Sequence, residues 1–423
     1  MKKELYSILK ESKASDFIIK EITTYSQEAF FIDQKLDMSR AKEVTHTMVT
    51  VYVDSDDKKY RGSATKEIHP TYSVEEIKKE IDKAIFAAQF VLNPWFPLVA
   101  DQQSEGSDLD VNLTEELVKI CEAMQKVKAG KNEKVNSYEI FVNKKKTHIL
   151  NSQNVDVTFY GFDCEVEAVI NTSKEGHEIE LLKDLRFANK KSEEITSEIE
   201  KMFISGEARL EAVPTKKNEH ANVILSGDDV VQFFQYFTSH TNASNQFMGV
   251  AKAKIGEKMI GEDADDLTIE LKATMDGSTK NDAYDMDGNP IKDRVLFDKG
   301  VCKAFWGSVQ HAHYIHMEDT TSINNVIVHG GSMSMDDMKK EPYLEVTDFS
   351  AFIMDPISGN FGGEIRLGYE KDDQGVHPIV GGSISANFSK VLKNMKFSKE
   401  TRQINNYIVP CAVYLRDVVV AGE

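Results

Sequence analysis

Apolar residues recur at helical spacing in two stretches near the start of the chain. The first stretch predicts a helix over residues 73–92, which begins with a capping box formed by Ser73 and Glu76. The second predicts a helix over residues 114–129 that ends at Gly130. Both helices are amphipathic, so we expect each of them to cover a sheet.

Beta-strands are predicted around these helices. Residues 45–53 alternate between apolar and polar side chains, and residues 138–142 are rich in strand-forming types. Residues 154–170 have the pattern of long strands bent at Gly161. This part of the chain is therefore predicted to mix strands with helices.

A change of pattern near Pro214 predicts a domain boundary. A third helix, over residues 193–205, precedes this proline. A short buried strand at residues 223–225 and a helix at residues 228–238 follow it. Strand-like runs dominate the remainder, and glycine pairs mark the turns between them.

These elements define an α+β fold class with two domains. Residues 1–214 are predicted to form a mixed strand and helix domain, and residues 215–423 a domain of mostly antiparallel strands. A chain of 423 residues has room for both domains, because a typical domain needs roughly 150 residues.

Composition excludes several classes of function. The chain has 51 Lys and Arg residues against 69 Asp and Glu, and its formal net charge of -18 opposes direct binding to DNA or RNA. No apolar run reaches the roughly 18–20 residues of a membrane span, and the N-terminus lacks the apolar segment of a secretory signal. We therefore expect a cytoplasmic protein without a nucleic-acid or membrane partner.

The cysteines suggest neither a zinc knuckle nor a disulfide framework. Cys121, Cys164, Cys302 and Cys411 lie far apart in the sequence, and no CxxC pair occurs. We expect free, mostly buried thiols, with Cys411 inside the last strand.

Six segments carry the most specific information in the chain. They are Tyr60-Arg61-Gly62-Ser63, AIFAAQFVLNPW, EARLEAVPTKKNEHANVILSGDDVVQFFQYF, NNVIVHGG, SGNFGGEIRLGYEKDDQGVHPIVGGSISANF and the closing PCAVYLRDVVVAGE. In this order they resemble the TldD/PmbA family, whose members are known as modulators of DNA gyrase and as metallopeptidases. The resemblance implies two kinds of subunit, a TldD type with a zinc-binding HExxxH helix and a PmbA or TldE type without it.

The zinc motif of the family is degenerate in this chain. Alignment with the family's zinc helix places Gln235 at the first His, Tyr236 at the Glu and His240 at the second His. The family's third ligand, a cysteine ahead of the closing strand, has no counterpart between residues 395 and 409, and we expect Cys411 to lie inside that strand instead. Because a single His does not hold zinc, we predict no catalytic residue in this helix.

The dipeptide His177-Glu178 is the only His-Glu pair in the sequence. The positions where a second His would be needed hold Leu181 and Leu182. This dipeptide is therefore not a zinc motif.

A histidine cluster near residue 313 provides an alternative hypothesis. His311 and His313 would share one face of a strand, and His316 and Glu318 would add further ligands for a metal ion. The competing interpretation is that these are half-exposed imidazoles hydrogen-bonded to carboxylates, and it is the more common arrangement in an acidic protein.

The resemblance implies a specific function. The chain would be a non-catalytic PmbA/TldE-like subunit that helps to bind unfolded peptides for proteolysis or peptide maturation, as a homodimer or as a heterodimer with a TldD-like subunit. No cofactor is expected in this chain, and zinc would belong to the TldD-type partner. The alternatives are an active metallopeptidase with a non-standard His-based site and a peptide-binding regulatory homodimer.

Overall fold

The computed structural model describes residues 2–423. Nine helices occur in this part of the chain. They are α1 (Lys2–Glu11), α2 (Val74–Ala88), α3 (Leu113–Gln125), α4 (Ser192–Glu211), α5 (Val230–His240), α6 (Ala243–Phe247), α7 (Val309–Tyr314), α8 (Met335–Met338) and α9 (Phe388–Val391).

The N-terminal half is built on one sheet of eight strands. These strands are β1 (Asp16–Ile32), β2 (Lys35–Asp54), β3 (Tyr60–Glu67), β4 (Asn93–Pro94), β5 (Gln102–Ser104), β6 (Glu133–Asn151), β7 (Val155–Lys174) and β8 (His177–Phe187). The order across the sheet is β4-β3-β2-β1-β6-β7-β5, and β8 also pairs with β7. All neighbours are antiparallel except β5 and β7.

The long strands of this sheet bury opposite faces along their length. In β7, Val155 and Val157 are buried near its start, whereas Cys164 and Val166 are buried beyond Gly161. The first pair packs with Phe96, Tyr284 and Tyr314, and the second pair packs with α3 and α4. The predicted bend at Gly161 is therefore a change of the buried face within one continuous strand, which pairs with β6 without interruption at that residue.

Helices cover the sheet through the apolar stripes that the sequence contains. Ile120 of α3 and Ile195 and Ile199 of α4 are fully or almost fully buried in one cluster, and Ile77 and Ile81 of α2 are buried in another. Each such side chain contributes about 1.5–3 kcal/mol to folding when it leaves water. The amphipathic helices therefore hold the N-terminal half together.

Two further sheets form the C-terminal half. The eight-stranded sheet contains β9 (Val213–Pro214), β10 (Asn218–Leu225), β15 (Tyr343–Met354), β16 (Asn360–Asp372), β17 (Gly375–Val380), β18 (Ser383–Asn387), β19 (Lys396–Phe397) and β22 (Val413–Ala421). The six-stranded sheet contains β11 (Ile269–Lys272), β12 (Arg294–Asp298), β13 (Val301–Cys302), β14 (Asn325–Val328), β20 (Thr401–Ile404) and β21 (Tyr407–Pro410).

The eight-stranded sheet closes on itself. Its order is β15-β10-β22-β18-β16-β17-β9, and β15 also pairs with β16, so five strands form a ring. Apolar side chains of both sheets and of α5 share one large core. A closed ring leaves few strand edges exposed, which limits unwanted pairing with other chains.

The predicted fold class is confirmed. The protein has a two-domain α+β architecture, and the C-terminal half is mostly antiparallel. Its parallel pairs are β10 with β15, β14 with β21 and β9 with β17. The boundary between residues 214 and 215 remains a prediction, and Val213–Pro214 already pairs with a strand of the C-terminal half.

All four predicted helices end at positions other than those expected, and α5 runs two residues past its predicted end at residue 238. The capping box of Ser73 and Glu76 is present, but α2 ends at Ala88, before the predicted end at residue 92, and the chain then turns to form β4. Helix α3 ends at Gln125 although Val127 continues the apolar pattern, since this valine packs into the same core from the following loop. Helix α4 runs six residues past the predicted end at residue 205.

No helix in residues 2–423 combines the length and the apolar character that a membrane crossing requires.

Candidate functional site

Helix α5 contains the three residues that the sequence alignment assigns to the family's zinc motif, and it lies in the C-terminal core. It follows β10, and Phe233, Phe234 and Phe237 are completely buried. Because apolar side chains surround most of the helix, its position is set by packing rather than by a polar site.

Tyr236 stands where the zinc motif has its Glu. Its side chain is 1% exposed, and its ring stacks on Phe388 with centroids 3.7 Å apart and planes 3° apart. Burial raises the pKa of Tyr236 to about 12. A neutral phenol held in an aromatic stack is unable to activate water as a carboxylate does.

His240 stands where the zinc motif has its second His. Its side chain is 2% exposed, and its Nδ1 accepts a hydrogen bond of 3.1 Å from the backbone N–H of Lys252. The Nε2 atom is buried without a hydrogen-bond partner among residues 2–423. Burial, assisted by the charge of Lys252, lowers the pKa of His240 to about 4, so this imidazole is neutral at physiological pH.

Gln235 stands at the first His position and is half-buried. It is hydrogen-bonded to the hydroxyl of Tyr407 on β21. The three aligned positions therefore contain one imidazole, one amide and one phenol, each engaged in packing or hydrogen bonding. These residues do not fit a zinc ion, because zinc in proteins takes thiolate, imidazole and carboxylate ligands.

Cys411 lies ahead of the closing strand and not inside it. It follows β21 and precedes β22, and its backbone N–H donates to the Glu400 carbonyl. The prediction for this residue was wrong because Val409 and Val413, the apolar residues that flank it, belong to two different strands. Burial raises the pKa of the half-buried Cys411 thiol, which disfavours the thiolate that binds metals.

The histidine cluster forms a helix instead of the predicted strand. His311 and His313 belong to α7, which begins because the Ser308 side chain accepts a hydrogen bond from the backbone N–H of His311. Residues two apart do not share a helix face, so these two imidazoles point in different directions. Ser308 supplied the signal for this helix, but the cluster of aromatic and imidazole rings after it resembled a strand.

The side chains of this cluster have separate surroundings. The His311 Nδ1 lies 2.9 Å from the Ser308 hydroxyl, and burial lowers the pKa of His311. The exposed His313 ring meets Trp95 edge-on at 5.9 Å. His316 and Glu318 are exposed.

The described residues contain one group with three candidate ligand atoms within 4.8 Å of one another. This group is formed by Glu370, Asp372 and His377 on the β16–β17 hairpin. None of its members belongs to α5 or α7.

Helix α7 instead connects the two halves of the molecule. The Tyr314 hydroxyl donates a 2.6 Å hydrogen bond to the Pro94 carbonyl, and the Tyr314 ring lies edge-on to Phe96 at 6.1 Å. The histidines therefore lie beside a structural contact between the sheets of the N-terminal and C-terminal halves.

A buried charge cluster lies near this contact and was not predicted from the sequence. Arg61 is 2% exposed, and its guanidinium donates to Asp16 at 2.7 Å and to Asp54 at 2.6 Å. The same group lies over the ring of Trp95 at 5.0 Å, and the indole N–H also donates to Asp54. The motif Tyr60-Arg61-Gly62-Ser63 thus holds a structural ion pair.

A second charge cluster lies at the start of α5. Asp229 is half-buried and accepts a hydrogen bond of 2.8 Å from the Gln232 amide. Burial, together with the charges of Asp348 and Asp228, raises the pKa of Asp229 to about 6. The sequence signal for this group is the Asp-Asp dipeptide before the helix, which looked like an ordinary helix start.

Strand β2 has a long free edge. Residues 35–46 pair with β1 on one side only, because β3 pairs with β2 from Met48 onward, and all twelve residues are exposed. Leu36, Met38 and Val44 are large apolar side chains among them, each more than 40% exposed. A free edge of this length carries unpaired backbone N–H and C=O groups that a strand of another chain can pair with.

A cavity of about 710 Å³ lies between α1 and the β6–β7 hairpin. Tyr6 of α1 and Asn154 of the hairpin line it, together with His148 and Asp156, whose side chains lie 2.8 Å apart. No residue of α5 or α7 lines this cavity. The cavity is therefore separate from α5 and α7.

Comparisons with known proteins agree on one group of relatives. Residues 218–422 match the family model described as PmbA/TldA metallopeptidase C-terminal domain. No curated protein sequence is a significant match to the chain.

Three solved structures share the fold over nearly the whole chain. TldE from Thermococcus kodakarensis is 19% identical, with a TM-score of 0.76 over 99% of this chain and 100% of that protein. A protein from Thermotoga maritima described as a modulator of a DNA gyrase is 16% identical, with a TM-score of 0.76 over 99% of this chain and 98% of its own. A protein of similar description from Bacteroides thetaiotaomicron is 13% identical, with a TM-score of 0.78 over 100% and 99% of the two chains.

Proposed function

Because the chain belongs to the TldD/PmbA family, we propose that it is a PmbA/TldE-type subunit of a metallopeptidase complex that carries no hydrolytic zinc of its own. A TldD-type subunit supplies the zinc and the catalytic carboxylate. This chain contributes to the binding of unfolded peptides. The complex acts in proteolysis or peptide maturation.

The surroundings of Tyr236 carry this proposal. Zinc hydrolases need a carboxylate beside the metal to take a proton from water, and they need an open coordination position. In this chain the corresponding residue is a buried phenol stacked on Phe388, and the next potential ligand, His240, is turned into the core. The burial of both side chains supports a non-catalytic role for α5.

The free edge of β2 supports the assembly of a complex. Twelve exposed residues with unpaired backbone groups are suited to pairing with a strand of a TldD-type subunit. The apolar side chains of Leu36, Met38 and Val44 would leave water in such a pairing. We therefore place the subunit contact at this edge, while peptide binding remains a property of the assembled complex.

The overall charge supports a protein partner and not a nucleic acid. A net charge of -18 repels a phosphate backbone, which argues against direct contact with DNA even though some relatives are described as modulators of DNA gyrase. We infer that the complex works in the cytoplasm on peptide substrates.

Reconstitution tests this proposal. The chain is purified alone and together with a TldD-type subunit of the same organism, and hydrolysis of an unstructured peptide is measured with and without a zinc chelator. We expect hydrolysis only from the mixture, and its loss with the chelator. Hydrolysis by the isolated chain would instead favour a metal site of its own, such as one that uses the histidines of α7.

A further inference from the structure

Three potential metal ligands converge on the β16–β17 hairpin. Glu370 and Asp372 lie two residues apart on β16 and therefore point to the same face of the sheet. His377 on β17 is the direct cross-strand partner of Glu370. The hairpin thus brings two carboxylates and one imidazole together without any contribution from α5 or α7.

The distances within this group suit a small cation. The His377 Nε2 lies 3.4 Å from the Glu370 Oε2, and the His377 Nδ1 lies 4.0 Å from the Asp372 Oδ1. Ligand atoms about 2.0–2.1 Å from a tetrahedral zinc ion are roughly 3.4 Å apart, which matches the distance from Glu370 to the His377 Nε2. One ligand atom from each of the three residues lies within 4.8 Å of the others, so the Asp372 carboxylate would have to move toward that nitrogen to complete the site. All three side chains are between one fifth and one third exposed, which leaves the group accessible from solvent.

Two observations indicate that a cation belongs in this group. The Glu370 Oε2 is buried and accepts no hydrogen bond from any of residues 2–423, although the His377 Nε2 lies 3.4 Å from it. The ammonium group of Lys216 reaches toward the same carboxylates, 3.2 Å from Asp372 and 3.9 Å from Glu370. Lys216 is 63% exposed, so its side chain has room to swing into solvent when another cation binds.

We propose that Glu370, Asp372 and His377 bind a zinc ion in place of the Lys216 ammonium. A backbone hydrogen bond from Gln374, followed by the charge of Lys216, lowers the pKa of Asp372, so this ligand is already ionised at neutral pH. Two oxygens and one imidazole nitrogen leave the fourth position of a tetrahedral ion to water. The ion would join β16 to β17 beside the turn of the hairpin.

The test is a zinc titration of the untagged, metal-free chain by isothermal calorimetry. We expect one equivalent of zinc to bind to the wild type. His377→Ala should weaken binding by more than about tenfold, because it removes the only nitrogen ligand. Lys216→Gln should strengthen binding, because it removes the competing ammonium group. If zinc bound only nonspecifically to surface carboxylates, neither His377→Ala nor Lys216→Gln would change the zinc affinity in this way.

His329→Ala is the matched control. His329 resembles His377 because it lies 3.0 Å from a carboxylate, that of Glu270, which a lysine also approaches, Lys272 at 2.8 Å. It differs from His377 because it has no second carboxylate partner among the described residues. We expect this variant to bind zinc as the wild type does. Thermal unfolding of each metal-free variant checks that the fold is retained.

Absence of zinc binding by the wild type would overturn the proposal, and so would unchanged binding in His377→Ala. The result is independent of the proposed peptidase complex, because no residue of this hairpin belongs to the degenerate zinc helix. We expect His377→Ala to leave peptide hydrolysis by the reconstituted complex unchanged.

Discussion

The ring of Tyr236 lies flat against the ring of Phe388, 3.7 Å away. The sequence alignment assigns Tyr236 to the position at which a zinc hydrolase has its catalytic carboxylate. Phe388 itself is completely buried and also packs against Phe233 and Phe361. Tyr236 is therefore part of the hydrophobic core, and packing fixes the residues around it.

Restoring the motif by mutation should fail. In Gln235→His/Tyr236→Glu, a carboxylate replaces a buried aromatic ring, and we expect a loss of roughly 3–5 kcal/mol of unfolding free energy and no peptidase activity. Urea unfolding and a peptide hydrolysis assay measure the two effects. Gln235→His alone is the control, since residue 235 is half-buried, and it should fold normally. Zinc-dependent hydrolysis by the double variant would contradict our interpretation of α5.

His240 should make the protein less stable in acid. The unfolded imidazole takes up a proton near its ordinary pKa of about 6.5, whereas the folded one does so only near pH 4. Its contribution to stability is therefore complete above pH 6.5 and is lost as the pH falls toward 4, by up to about 3 kcal/mol.

Urea unfolding at pH 7.5 and pH 4.5 measures this contribution. We expect His240→Asn to lose less stability between the two pH values than the wild type does, because Asn has no proton to gain. His220→Asn, at a side chain that is 80% exposed, should behave as the wild type. Equal losses in the wild type and His240→Asn would show that His240 is not responsible.

Arg61 should be essential for the stability of the N-terminal half. Arg61→Met leaves the carboxylates of Asp16 and Asp54 without their main partner, and we expect a loss of about 3–5 kcal/mol. Arg61→Lys keeps the charge but loses the bidentate geometry, so its free energy of unfolding should lie between those of the wild type and Arg61→Met. Chemical unfolding is the measurement, and Arg416→Met at an exposed position is the control. A wild-type midpoint for Arg61→Met would show that this ion pair adds nothing to folding.

The free edge of β2 should determine subunit association. Met38→Lys/Val44→Lys introduces two charges into the proposed contact, and we expect the affinity for a TldD-type subunit to fall by more than about tenfold. Sedimentation velocity of the mixed subunits measures the affinity. Ile204→Lys changes a 63% exposed apolar residue on α4 instead and should associate normally. Unchanged association of the double variant would move the contact away from this edge.

Local sequence signals predicted helices α2 to α5 but not the other five. The Ser73 and Glu76 capping box and the apolar stripe through Ile77 and Ile81 are present in the structure as expected. Helix ends were less predictable, because Val127 packs into the core from a loop and continues the apolar pattern beyond α3. The spacing of apolar residues indicates which side chains are buried, and buried side chains also occur in the loop after the helix.

Long-range contacts limited the prediction of the candidate site. The degenerate motif at Gln235, Tyr236 and His240 was readable from the sequence, but the partner of Tyr236 is Phe388, 152 residues later in the chain. Arg61 and Asp16 likewise meet only after the sheet has formed. Contacts between residues so far apart in the sequence depend on how the strands align with one another, and the local spacing of apolar residues does not predict that alignment.

The most direct test of the central claim is peptide hydrolysis by the purified chain with saturating zinc, with and without a TldD-type subunit. We predict no hydrolysis by the chain alone, even if zinc binds to the β16–β17 hairpin. We predict chelator-sensitive hydrolysis by the complex, at the same rate in His240→Ala as in the wild type. Zinc-dependent hydrolysis by the isolated chain would contradict the account.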